Sequence, residues 1–357
     1  MSQKIIYTNS VGETVEKLVA EMGSPKVFVI TDKGAFESAL PVLHAQSPLL
    51  AGAVTATVEQ GDENKNIDSL AKLWKALGDN SATRNSVIVN VGGGVVTDIG
   101  GFAAATFKRG VRFINVPTTL LGAVDAAVGG KTGINFNGLK NEVGCFSEAE
   151  AVIISTIFFN TLPQQQLLSG YAEMLKHGLL ENRDAFARLL GFSVVSPIFD
   201  SERLFNLLRD NVAIKKNIVD NDPTEQGLRR ALNLGHTAGH AFESLAIERQ
   251  SPIPHGYAVA RGLVVALVLS RLRLGFPSDT LYQLAAYVKE NYGAGHISCD
   301  DYPRLLELMS HDKKNPSPDS ISFTLLHDIG RVETGCIVDN DEITAALDIY
   351  RDLMGLS

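Results

Sequence analysis

Short runs of β-branched and aliphatic residues alternate with amphipathic stretches through the first half of the chain. Lys26-Val-Phe-Val-Ile-Thr31 is almost unbroken apolar sequence and reads as a buried strand. Val54 to Val58, Ser86-Val-Ile-Val-Asn-Val91 and Arg112-Phe-Ile-Asn-Val116 repeat the pattern. Between them, Asn66 to Leu77 sets Leu70, Leu73, Trp74 and Leu77 at helical spacing, and Asp98 to Lys108 reads as a second helix. Strand and helix in alternation predict an α/β domain, a parallel sheet with helices on both faces. After about Thr161 the periods lengthen into helices over Gln164 to Leu180, Glu202 to Asn221, Leu228 to Ala246 and Tyr257 to Leu274. We therefore expect an α/β domain over 1–160 and a mainly α-helical domain over 161–357. A catalytic cleft between two such domains is the usual outcome.

Bulk properties narrow the partners. A chain of 357 residues, 45% hydrophobic and 20% charged, suits a globular protein of two or three domains. Its net charge of -8 gives no support for nucleic acid or an anionic membrane as a partner. Cys145, Cys299 and Cys336 are widely spaced and odd in number, which argues against a disulfide framework and for a reducing compartment. No run is apolar for long enough to cross a bilayer, and the N-terminal residues hold no apolar core of signal-peptide length, so the cytoplasm is expected.

The chemistry concentrates in Asn233-Leu-Gly-His-Thr-Ala-Gly-His240. His236 and His240 are four residues apart and share one helical face. With Glu173 upstream and His255 downstream they make a metal site with an open position plausible, although a single histidine is more often a structural one. Spacing alone does not say which histidine is a ligand and which a base. Val91-Gly-Gly-Gly-Val-Val-Thr-Asp98 follows a strand and opens a helix, the context in which backbone N–H groups cradle a pyrophosphate. It is not the usual G-x-G-x-x-G fingerprint. Gly61-Asp-Glu-Asn-Lys65 could reach a ribose, but by composition it is a polar loop capping the next helix. Arg109, Lys131 and Lys140 are interleaved with Asp125, Asn135 and Asn141, and Lys176, Lys215, Arg229 and Lys313 follow. Each alone is an ordinary surface charge. Several flank glycine turns or the histidine motif, and together they suit a substrate bearing phosphate and carboxylate.

In order and spacing these motifs resemble the 3-dehydroquinate synthase family. The resemblance rests on Gly92-Gly-Gly-Val-Val-Thr-Asp98, Arg109-Gly-Val-Arg112, Val116-Pro-Thr-Thr-Leu-Leu121, Val124-Asp125 and Gly129-Gly-Lys-Thr132. It continues through Lys140-Asn141, Gly170-Tyr-Ala-Glu-Met-Leu-Lys176, Gly227-Leu-Arg229, the histidine motif, His255-Gly256 and Asp312-Lys-Lys-Asn315. It implies NAD as a recycled oxidant, a divalent metal (zinc or cobalt), a heptulosonate phosphate substrate and a cytoplasmic homodimer at the second step of the shikimate route. The implied reaction is transient oxidation, phosphate elimination, reduction, ring opening and aldol closure. Residue by residue, Glu173, His236 and His255 match metal ligands, His240 a proton acceptor and Glu225 a second acid–base group. Arg109, Asp125, Lys131, Asn141, Lys176, Lys215, Arg229, Asn233 and Lys313 match substrate contacts. Asp62, Lys65, Gly93, Gly94, Val95, Asp98, Thr118, Thr119, Lys140 and Thr161 match the NAD site, with Asp32 a further candidate.

The chain departs from the common pattern at Leu139, in Glu142 and Val143, in Tyr257 where glutamate is usual, and in lacking a proline near Ser147 and Glu148. The 131–150 loop slightly resembles cyclases that make valiolone or inosose rings. Another sugar-phosphate cyclase and a metal-dependent alcohol or glycerol dehydrogenase are the alternatives within enzymes. An idle nucleotide-binding protein is the alternative outside them, and it would have lost ligands or anion contacts that this chain keeps.

Overall fold

The computed structural model describes residues 3–24, 26–195, 200–311, 315 and 320–356. Its contacts divide the chain into two compact units. The first comprises Met1–Pro163 with Asp200–Asp220. In chain order its strands are β1 (Lys4–Tyr7), β2 (Val27–Asp32), β3 (Val54–Val58), β4 (Val87–Gly92), β5 (Arg112–Pro117), a hairpin of β6 (Lys131–Phe136) and β7 (Leu139–Phe146), and β8 (Ala151–Ile154). Six of them form one sheet in the order β1-β8-β5-β4-β2-β3, and every pairing in it is parallel.

Both faces of such a sheet are covered, which explains the unbroken apolar runs. Every residue of β4 is buried. Its one polar side chain, Asn90, lies opposite Asn115 in register and donates to that amide oxygen at 2.9 Å. Gly100, in the helix Gly94–Thr106, sits over this pair. A Cβ there would lie 2.2 Å from Asn90 Oδ1, so only glycine lets the helix rest so close to the sheet. The helix Ile67–Asp79 buries Leu70, Leu73 and Leu77 against Phe28, Ile30, Ile88 and Phe102. Each such leucine contributes about 1.5–3 kcal/mol. Asn66 sets the helix start by accepting from Ser69 N at 3.0 Å. The helix Ser201–Asn221, all but its last residue, belongs to this unit although it follows residue 161. Phe205 stands edge-on to Tyr7 at 5.9 Å, and Lys215 pairs with Asp125 at 2.6 Å.

The second unit comprises Gln164–Phe199 and Asn221–Ser357. Its central helix, His255–Leu274, is buried on nearly all sides between Gly256 and Ser270, as an all-round apolar helix must be. The helix Gln164–Glu181 is buried from Leu167 to Leu180. An antiparallel hairpin of β9 (Ile321–Asp328) and β10 (Arg331–Val338) is tied to the central helix by Leu326 N–H donating to Ser270 Oγ at 2.9 Å.

The continuous helix expected over Leu228 to Ala246 is not what forms. A 3-10 turn spans Leu228–Asn233, and an α-helix restarts over His236–Glu248. Gly235, at φ +78°, makes the break, and a Cβ on it would meet Leu263 N at 2.8 Å. The left-handed turn that only glycine adopts cheaply thus places His236 at the head of the new helix.

Candidate active site

The second unit brings three elements onto one carboxylate. Glu173 is fully buried in the helix Gln164–Glu181. Its Oε1 lies 3.4 Å from His236 Nε2 and 3.5 Å from His255 Nε2. Its Oε2 forms an ion pair with the buried Lys176, one turn along the same helix. None of these contacts has hydrogen-bond geometry, and both oxygens lack such a partner among the described residues. His236 Nδ1 lies 3.1 Å from Leu234 O, a partner that can only accept. His255 Nδ1 lies 3.4 Å from Glu243 Oε2. Each imidazole therefore has its proton drawn to Nδ1, leaving Nε2 as a lone pair aimed at an anionic oxygen. Two lone pairs and a carboxylate facing one another need a positive charge. A divalent ion with nitrogen and oxygen preferences, such as zinc or cobalt, fits this donor set. Without one, burial would lower the His255 imidazole, but Glu173 and Glu243 outweigh it and raise it to about 10. Burial would raise Glu173, yet Lys176 and His236 hold it well below the usual carboxylate range.

His240 joins the cluster. Its ring lies 5.3 Å from that of His236 and 5.9 Å from that of His255, and one nitrogen of each of the three lies within 4.8 Å of the others. Close backbone contacts set these distances. A Cβ on Gly256 would lie 2.0 Å from Ser169 O, and one on Gly262 would lie 2.0 Å from Gly235 O. The helices carrying Glu173, His236 and His255 therefore cross at glycines.

Beside them, Asp222 organises the loop before the histidine helix. Its carboxylate accepts from Gln226 N, Gly227 N and Arg229 N at 2.9, 2.7 and 3.0 Å. These backbone donors hold it below the ordinary aspartate value. Arg229 is buried, and its guanidinium donates to Pro223 O at 2.6 Å. Glu225, at φ +61°, accepts from Asn233 Nδ2 at 3.0 Å. Four of the expected residues (Lys176, Glu225, Arg229 and Asn233) thus lie in this unit with Glu173, His236 and His255.

In the first unit the cofactor candidates cluster at the carboxyl ends of β2, β4 and β5, where parallel α/β sheets bind ligands. Gly93 and Gly94 lead from β4 into the helix Gly94–Thr106, with Val95 in its first turn. Thr118 N donates to Gly92 O at 2.9 Å. A Cβ on Gly93 would lie 3.1 Å from Thr119, and one on Gly92 would lie 3.1 Å from Asp32 Oδ2. Asp32 also caps the next helix, accepting from Ala35 N at 2.9 Å. Lys65 is buried and donates to Asp98 Oδ2 at 3.0 Å and Asn141 Oδ1 at 2.6 Å. Burial would lower this amine, but Asp98 and Asp62 raise it, so it stays charged. Lys140 pairs with Asp62 at 3.3 Å. The loop Gly61 to Lys65 is polar, as its composition predicts, and it is the centre of an ionic network. Thr161 stands apart from this network, ending a 3-10 turn with its hydroxyl donating to Phe158 O at 3.2 Å.

The expected substrate contacts of this unit are placed unevenly. Asp125 and the buried Lys215 meet directly. Lys131 is exposed at the start of β6. Arg109, at φ +65°, lines a separate concavity of about 740 Å³ with Arg84, Arg112, Phe146 and Glu148, and none of the NAD candidates lines it. Lys313 lies outside the described residues. Sequence reasoning missed Glu243, Asp222 and the bracing role of Asn135. Only Glu243 had a signal, since it continues the 236, 240 stripe by one more turn.

A family model for the 3-dehydroquinate synthase N-terminal region matches residues 55–169, and one for the C-terminal region matches 170–315. Over 354 residues the chain is 46% identical to a 3-dehydroquinate synthase of Parabacteroides distasonis, covering 99% of each. Among solved structures, it resembles 2-epi-5-epi-valiolone synthase from Streptomyces hygroscopicus, solved with NAD+ and Zn2+, at a TM-score of 0.83 and 24% identity, covering 99% of this chain and 97% of that one. It also resembles 2-deoxy-scyllo-inosose synthase, solved with carbaglucose-6-phosphate, NAD+ and Co2+, at a TM-score of 0.82 and 24% identity, covering 96% and 95%. At that identity the two structures speak to the fold alone. Family models spanning both regions and near-complete identity coverage place the chain in the 3-dehydroquinate synthase family.

Proposed function

We propose that this enzyme, a carbon–oxygen lyase, converts 3-deoxy-D-arabino-heptulosonate 7-phosphate to 3-dehydroquinate, releasing phosphate, with Glu173, His236 and His255 holding a zinc or cobalt ion. The observation that carries the reading is Glu173 Oε1 facing the Nε2 atoms of two histidines whose Nδ1 protons are drawn elsewhere. Gly93, Gly94 and Val95, with Asp32, Asp62, Lys65, Asp98, Thr118, Thr119, Lys140 and Thr161, would hold NAD. When bound, NAD supplies a hydride acceptor that is restored within each turnover, and the metal ion supplies a Lewis acid.

The chain's own residues bind the substrate and move its protons. Lys176 and Arg229, both buried, are fixed cations for phosphate or carboxylate, and Arg229 offers the planar fork that suits either. The family resemblance adds Lys131, Asn141, Lys215, Arg109 and Lys313 as substrate contacts, although Arg109 lines a separate concavity, and Asp125 pairs with Lys215. His240 lies beside His236 and His255, with a ring nitrogen able to accept a hydroxyl proton. Glu225, which accepts from Asn233, is the residue that the family resemblance supports as the second acid–base group. The family resemblance supports a homodimer in the cytoplasm and a small sugar phosphate as partner, without nucleic acid or membrane. No helix among the described residues is long and apolar enough to cross a membrane.

The test is purified protein with NAD, zinc or cobalt, and the heptulosonate phosphate, followed for inorganic phosphate, dehydroquinate and absorbance at the NADH band. Phosphate and dehydroquinate in equal amounts, without NADH build-up, are expected. NADH accumulating with a simple alcohol instead would identify a dehydrogenase.

A further inference from the structure

The bulge in the β6–β7 hairpin places Asn135 between two of the elements just assigned. The ladder shifts register between Ile134 and Phe136, and such an irregularity re-aims the side chain within it. Asn135 N–H donates to Lys65 O at 2.7 Å. Its Nδ2 donates to Asp62 O at 2.8 Å and to Asp62 Oδ2 at 3.1 Å. Its Oδ1 accepts from Asn141 N at 2.9 Å. Asn141 has φ +51°, a conformation that needs support, and Lys65 fixes which edge of its amide carries the oxygen. One side chain therefore clips the Asp62–Lys65 loop to the backbone of Asn141.

We propose that Asn135 is a positioning residue that couples occupancy of the NAD loop to recognition of the substrate anion by Asn141. The inference rests on the functional reading above, in which the loop holds NAD and Asn141 meets substrate. Ordering Asp62 and Lys65 around the dinucleotide orders Asn141 through the clip, so each ligand tightens binding of the other by the same factor. An amide that merely stabilised the hairpin would not link the two affinities.

The experiment titrates the metal-loaded protein with NAD, with and without a non-reacting phosphonate analogue of the heptulosonate phosphate, by calorimetry. Hydrogen exchange of the 131–146 segment is followed in parallel. In the parent, the analogue should tighten NAD at least fivefold, within the usual range of coupling between sites, and NAD should slow exchange in the segment. Asn135→Ala should reduce the coupling below twofold. Asn135→Asp keeps an acceptor for Asn141 N–H but sets a carboxylate against Asp62. It should lose the coupling while the segment stays protected. Coupling retained in both variants, or absent from a parent that binds both ligands, overturns the inference and leaves the functional reading standing. A parent that binds neither ligand overturns the functional reading itself.

Discussion

Replacing Gly262 by alanine tests the claim that helix crossings set the metal geometry. The added Cβ would lie 2.0 Å from Gly235 O, 2.6 Å from Gly239 N and 2.9 Å from Gly239 Cα, where ordinary contact begins at 3.4 Å. The obstruction is backbone, so no side chain can swing away, and the helices must part by up to about 1.4 Å at that point. Overpacking of this kind costs about 1–3 kcal/mol. His236 and His240 ride on one of these helices and His255 on the other, while metal–ligand distances tolerate only about 0.2 Å. If the metal-free protein relieves the strain by separation, binding must restore it. At about 1.4 kcal/mol per decade, zinc affinity should then fall roughly 5- to 150-fold. Competition with a chromophoric chelator measures the affinity, and urea unfolding of the metal-free protein measures the strain. Gly78→Ala is the control, because a Cβ there meets nothing within 4 Å, and it should gain about 0.5–1 kcal/mol from helix propensity alone. A Gly262→Ala protein binding zinc within twofold of the parent would refute the reasoning.

Three further outcomes are expected. Glu243→Gln removes the carboxylate facing His255 Nδ1 and should weaken zinc binding about 10- to 100-fold, read by the same competition; unchanged affinity would deny Glu243 this role. His236→Ala should lower metal content, whereas His240→Ala should keep the metal and slow turnover about 100- to 10,000-fold; equal metal loss in both would make His240 a ligand instead. Asp222 has its pKa depressed by backbone donors, so its stabilisation is present above the ordinary aspartate value and lost as pH falls below about 4. The stability gap between parent and Asp222→Asn, from urea unfolding, should be flat from about pH 5 to 8 and shrink below that; a gap that widens in acid would contradict the assignment.

Much of this protein was legible along the chain because the signals are short-range. Residues 26–31, 86–91 and 112–116 became strands since a run without a polar face has no other place than a covered sheet. Leu70, Leu73 and Leu77 became one buried stripe through helical spacing alone. The glycines after β4 and the histidine pair stood out as candidates by local pattern. What no window of sequence could hold was which distant groups would meet. That Glu173 faces His255, that Asn135 braces the Asp62 loop, and that the helix Ser201–Asn221 joins the first unit through Tyr7 and Asp125 are consequences of packing across long separations. Even the break at Gly235 was decided by Leu263 on another helix, whose backbone leaves no room for a Cβ. Periodicity determines which face of an element is buried, and only the folded chain determines what that face is buried against.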